Sequence, residues 1–204
     1  MFRILPLILA VLATPALSQS TPSFDCTLAE SSVELMICED AELAALDRIV
    51  AERYAAALNV IGKMDTGRQA AKDQLRAIQR GWIKGRNECW KASDVRSCVE
   101  FAYLSREAQL VTLWMLEQPT SVAFWACDGN PANEVVTSFF DTTLPSVRFE
   151  RGDTVDTGAL VPTGSGAKYE GNFGRSIWIK GDEASYREPD PDGSTLSCTL
   201  VKEN

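Results

Sequence analysis

Six cysteines set the strongest limit on what this chain can become. They stand at positions 26, 38, 89, 98, 127 and 198, all behind an apolar leader. That leader has one basic residue, Arg3, then an apolar run over residues 4–12 and small residues at Ala16 and Ser18. It reads as a secretory signal peptide over residues 1–18, and its apolar run is too short to span a bilayer. An even number of cysteines in an exported chain implies a disulfide framework. Four lie in the first half and two in the second, so pairing within each half is expected, and Cys127–Cys198 follows by elimination. That bond closes a loop of about 70 residues, for which the chain-entropy account gives roughly 4 kcal/mol. The other four allow three pairings. Short local loops argue for Cys26–Cys38 with Cys89–Cys98. An antiparallel hairpin would instead bring Cys38 to Cys89 and Cys26 to Cys98. Ser23-Phe24-Asp25 ahead of Cys26 does not resemble a lipobox. The expected product is therefore soluble, periplasmic or secreted, and not membrane-anchored.

The two halves differ in pattern. In the first, Ser31-Ser32-Val33-Glu34 is a capping box ahead of a short apolar turn, and Asp40 is placed to cap the next helix. Leu43, Leu46, Val50, Tyr54, Ala57 and Ile61 recur at helical spacing up to Gly62. A further helix carries Leu75, Ile78 and Trp82, and its Gly81 and Gly85 predict a closely packed neighbour. Another starts near Asp94 or Ser97 and carries Val99, Tyr103, Leu110, Leu113 and Trp114. Glu117-Gln118-Pro119-Thr120 stops it. Short loops between these helices predict an antiparallel bundle. Asp47, Arg80 and Arg86 read as ion pairs on helix surfaces.

From Val122 onward, eight short β-rich runs alternate with turns: 122–127, 134–140, 146–151, 158–162, 167–171, 175–180, 183–188 and 195–201. Their even spacing predicts a small antiparallel barrel or sandwich. The chain is thus α+β in two domains: a helical one over 19–118, a linker over 119–122, and a β domain over 123–204. Arg151-Gly152-Asp153 reads as a β-turn. The acidic run at 188–193 lacks the register of a calcium loop.

Composition removes whole classes of function. The chain has no histidine, which excludes a histidine triad, a histidine acid or base, and a histidine-ligated metal. With all cysteines expected in disulfides and no metal constellation, an enzyme is not the reading, and no cofactor is implied. The formal charge is −8. Residues 121–204 alone hold 13 acidic and 7 basic side chains. Such a chain repels nucleic acid and attracts a basic partner.

What remains is a pair of loop edges. Gly164-Ser165-Gly166-Ala167-Lys168-Tyr169 is a turn with Ser165 at its tip. Ile177-Trp178-Ile179 is a short strand running into Lys180 and a Gly-Asp turn. Trp178 is expected to face the core. A hydroxyl and an ammonium on neighbouring edges are suited to meet carboxylates.

Two resemblances sharpen this. Phe24-Asp25-Cys26, Val33-Glu34, Ile37-Cys38, Leu43-Ala44-Ala45-Leu46-Asp47 and Tyr54, followed by Gln79-Arg80-Gly81-Trp82-Ile83-Lys84-Gly85-Arg86 with Cys89 and Cys98, resemble the LprI-like family over about residues 24–113. That resemblance implies an exported helical module, one branch of which is linked to lysozyme inhibition. Ser165-Gly166-Ala167-Lys168-Tyr169 matches an SGxxY motif and the run from Trp178 to Ala184 matches WxKGxxA. With Cys127-Asp128-Gly129 ahead and Cys198 behind, residues 123–200 resemble the MliC/PliC family of bacterial inhibitors of c-type lysozyme. The resemblance implies an eight-stranded antiparallel β-barrel, c-type lysozyme as the protein partner, and lysozyme contacts at Ser165, Gly166, Tyr169 and Lys180. A glycan- or peptidoglycan-binding envelope module without inhibitory activity is the alternative.

Overall fold

The computed structural model describes residues 21–202; the expected signal peptide at 1–18 lies outside the described residues. The first half contains four helices: α1 (Ser32–Glu39), α2 (Ala41–Gly62), α3 (Arg68–Asn87) and α4 (Val95–Trp114). Their starts follow from side-chain caps. The Ser31 hydroxyl accepts from the Glu34 N–H while the Glu34 carboxylate accepts from the Ser31 N–H. Asp40 accepts from the N–H groups of Glu42 and Leu43 at α2, and Asp94 accepts from the Ser97 N–H at α4. Each cap satisfies donors that the first helical turn leaves open.

The bundle core is built from Val33, Ile37, Leu43, Val50, Ala57, Ile61, Leu75, Val99, Tyr103 and Leu110. The disulfides in this half are the two local ones, Cys26–Cys38 and Cys89–Cys98. The first ties α1 to the turn before it. The second ties the short 3-10 turn after α3 to the first turn of α4.

Three expectations for this half are corrected. A Cβ on Gly81 or Gly85 would meet nothing within 4 Å, so neither glycine marks a close approach. Asp47 and Arg86 are not surface residues: they are 6% and 4% exposed. The Tyr103 hydroxyl joins them, donating to Asp47 Oδ1 at 2.8 Å and accepting from Arg86 Nη1 at 2.7 Å. Arg86 also lies between the Trp82 and Tyr103 rings, at 5.4 and 5.5 Å from their centroids. Arg80 is exposed, as expected, but forms no ion pair among the described residues. Finally, α4 ends at Trp114, five residues before Pro119, where Met115 turns left-handed at φ 49°. The Leu116 N–H then closes back on the Val111 carbonyl.

The second half is a closed antiparallel barrel in sequential order: β1 (Ser121–Cys127), β2 (Asn130–Phe140), β3 (Ser146–Arg151), β4 (Thr154–Val161), β5 (Ala167–Gly171), β6 (Ser176–Lys180), β7 (Glu183–Arg187) and β8 (Thr195–Leu200). β8 returns to β1, and Cys127 and Cys198 are direct partners on that seam. Their disulfide therefore fastens the barrel where its first and last strands meet. The interior is filled by Trp125, Val135, Val147, Phe149, Ile177 and Tyr186. Gly158 and Gly171 pair across β4 and β5. A Cβ on Gly158 would come within 2.7 Å of the Phe149 ring, so glycine makes room for that ring.

The halves touch through α4, which packs against β3 and β4. Arg148 on β3 reaches across and donates to the Leu113 carbonyl at 2.9 Å. A guanidinium is well placed there, at the negative end of the helix. The outer faces of β6, β7 and β8 lie farther round the barrel, away from this contact.

Candidate functional site

Up-and-down topology puts the β4–β5 loop and the β6–β7 turn at one end of the barrel. Ser165 and Gly166 are in the first, and Lys180 opens the second. The two are held together by backbone contact. Gly166 has φ +70°, and a Cβ there would lie 2.1 Å from the Ile179 carbonyl oxygen and 3.0 Å from Lys180 Cγ. Only glycine allows the loop to close this tightly on β6. The Trp178 indole N–H adds a hydrogen bond to the Ser165 carbonyl at 2.8 Å.

Trp178 is the residue that sequence reading misplaced. Expected in the core, it lies on the outer face, because Ile177 and Ile179 on either side face the barrel core. Strict alternation along β6 already contains that answer. Its ring carries Lys180: the ammonium sits 3.6 Å from the ring centroid. Lys168 is bonded to Glu170 at 2.5 Å and Lys202 to Asp182 at 2.5 Å. Lys180, by contrast, has no carboxylate partner among the described residues. The Ser165 hydroxyl likewise has no partner among the described residues; its carbonyl is the group in use. One exposed hydroxyl and one exposed ammonium, both uncommitted, thus stand side by side on a fixed frame.

Tyr169 is placed differently. It pairs with Ile177, and its ring packs on Phe139 at 5.4 Å between centroids. It is half-buried, and burial pushes its hydroxyl pKa upward. The structure therefore brings Ser165, Gly166 and Lys180 together at the rim and sets Tyr169 beneath them, against the core. Beside Lys180, a shallow groove of about 390 Å³ runs over the outer faces of β6 to β8, lined by Trp178, Glu183, Ser185, Ser197 and Thr199. Among the described residues, no cluster of three or more His, Cys, Asp or Glu is placed to hold a metal.

These features define a disulfide-stapled helical bundle docked on a closed eight-stranded barrel that presents a serine and a lysine from one rim. The helical half matches the model of the LprI family, described as lysozyme inhibitor LprI, over residues 25–120. The barrel matches the model of the MliC family, described as membrane-bound lysozyme-inhibitor of c-type lysozyme, over residues 125–194. Similar proteins include the "Lipoprotein LprI" of Mycobacterium bovis and that of Mycobacterium tuberculosis. Each is 29% identical over 196 residues, spanning 93% of this chain and 91% of the relative. No solved structure matches the chain.

Proposed function

We propose that this protein is an exported inhibitor of c-type lysozyme that blocks the enzyme's cleft with Ser165 and Lys180. The observation carrying this reading is Lys180 itself, an ammonium without a carboxylate partner, fixed beside the free Ser165 hydroxyl. Lysozyme cuts its substrate with one protonated and one ionised carboxyl group. Lys180 supplies a charge-assisted bond to the ionised one, and Ser165 a hydroxyl to the other. Gly166 lets the loop approach, and Tyr169 supports it from below. Both family matches carry lysozyme inhibition in their descriptions, which supports the same partner.

We place the protein in the periplasm or the secreted fraction. Three disulfides suit an oxidising compartment. Cys26, the first cysteine, is bonded to Cys38, which leaves its sulfur unavailable for a lipid thioether. No helix among the described residues is long and apolar enough to cross a membrane. We keep 19–118 and 123–204 as the division of the chain, with 119–122 between them.

The test is inhibition of c-type, g-type and i-type lysozymes by the mature chain, with a pull-down on immobilised c-type lysozyme. Inhibition of the c-type enzyme, with chitin oligosaccharide in its cleft displacing the chain, is the expected result. No inhibition, together with retention of the chain on chitin itself, would establish a glycan-binding module instead.

A further inference from the structure

We propose that Trp178 is the positioning residue of the inhibitory site: it couples the two loop edges and keeps Lys180 from pairing with Glu183. This inference rests on the lysozyme-inhibitor reading above and names a residue that reading does not use. Glu183 is the direct cross-strand partner of Lys180, on the far side of the Gly181-Asp182 turn. Opposite charges in that register attract one another across a sheet. Yet the two form no ion pair, and the ammonium rests on the Trp178 ring. Cation–π attraction at an exposed site is comparable in strength to an exposed ion pair. It differs in one respect that matters to a binding site: it leaves the ammonium's positive charge uncompensated. A lysine held on an aromatic ring can still bond a partner's carboxylate, whereas one paired with Glu183 must first give up that pair.

The same side chain acts on the second edge. Its indole N–H holds the Ser165 carbonyl at 2.8 Å, while Gly166 lies against the Ile179 carbonyl. One residue therefore sets the height of the serine and the direction of the lysine. Because Trp178 is on the outer face of β6, replacing it leaves the barrel core untouched.

The experiment uses the full mature chain and two readouts. In the free protein, the side-chain methylene protons of Lys180 should show an upfield ring-current shift in the NMR spectrum. Trp178→Leu should abolish it and Trp178→Phe retain most of it. In inhibition assays, Trp178→Phe, which loses the N–H to Ser165 and keeps a smaller aromatic face under Lys180, should weaken binding about fivefold. Trp178→Leu should weaken it by about tenfold or more. Adding Glu183→Gln to Trp178→Leu should recover part of that loss, while Glu183→Gln alone should change inhibition little. A merely structural tryptophan would show no such rescue. A wild-type spectrum without the shift, or a folded Trp178→Leu that inhibits fully while Lys180→Ala does not, overturns the inference. Lys180→Ala inhibiting like wild type removes the cleft reading itself, with the methylene shift still deciding whether Trp178 holds the lysine.

Discussion

Lys180 and Ser165 meet their partner with unequal chemistry, so their substitutions separate. Lys180→Ala removes a charge-assisted bond and leaves a lysozyme carboxylate desolvated without its partner, a loss of about 2–5 kcal/mol in binding. Ser165→Ala removes a neutral donor, nearer to about 1–3 kcal/mol. Both approach one carboxylate pair, so the double variant should be non-additive. Lys168, paired with Glu170 on the barrel's outer face, is the control, and Lys168→Ala should cost under about 1 kcal/mol. Inhibition constants for the four variants, with folding checked by circular dichroism, decide this; Lys180→Ala and Ser165→Ala both inhibiting like wild type would remove the mechanism. In the helical half the decisive residue is Arg86. Its loss strands the Asp47 carboxylate in the core beside the Tyr103 hydroxyl. Arg86→Ala should therefore destabilise the chain by about 3–5 kcal/mol, read from denaturant melts. A cost near that of a surface ion pair would contradict the burial.

At the level of elements, the helix starts make the bundle sensitive to acid. Backbone N–H groups hold the carboxyl pKa below its usual value at Asp25, through Thr27, and at Asp94, through Ser97. At Glu34 and Asp40, burial pushes the pKa up but is outweighed. The N–H groups of Ser31 and Glu30 lower Glu34, and the Leu43 N–H with the Arg96 guanidinium lowers Asp40. All four are lower in the folded chain than in the unfolded one. Their contribution is thus complete above the unfolded carboxylate range of about 4 and is lost progressively as pH falls below it through the lower folded values. Melting temperature should be level near neutrality and decline from about pH 5 downward; a level profile to pH 3 would contradict it. In the barrel the seam between β1 and β8 is the element to test. Replacing Cys127 and Cys198 together by serine opens a loop of sequence separation 71. Stability should fall by about 4 kcal/mol, measured by denaturant melts under oxidising conditions.

For the whole molecule, the arrangement leaves the rim free. α4 covers β3 and β4, and Lys180 with its groove lies over β6 to β8. The surplus of acidic over basic side chains in residues 121–204 should steer a basic lysozyme toward the barrel. The association rate should then fall as salt rises from low to physiological strength. A rate that does not change would return the charge to solubility alone.

Where local chemistry decides, the sequence alone was sufficient. The caps at Ser31, Asp40 and Asp94, the eight β runs and the serine and lysine edges are all short-range patterns, and an element formed at each, although β2 and β4 begin four residues ahead of the runs at 134–140 and 158–162. The barrel-closing cysteine pair also followed, because only two cysteines lie in that half. Tertiary structure alone decided the rest. The other four cysteines allowed three pairings, and although short loops argued for the local one, helix packing settled it by bringing Cys26 to Cys38 and Cys89 to Cys98. Asp47 and Arg86 carry charges that local reading puts in water. They are buried because Tyr103, arriving from α4, joins their hydrogen-bond network. The outward face of Trp178 was already legible in the alternation between two inward isoleucines; what tertiary structure added is its partner on the other loop. On the outside it meets Lys180, two residues along the same face of β6, and Ser165, which only loop closure over Gly166 brings within reach.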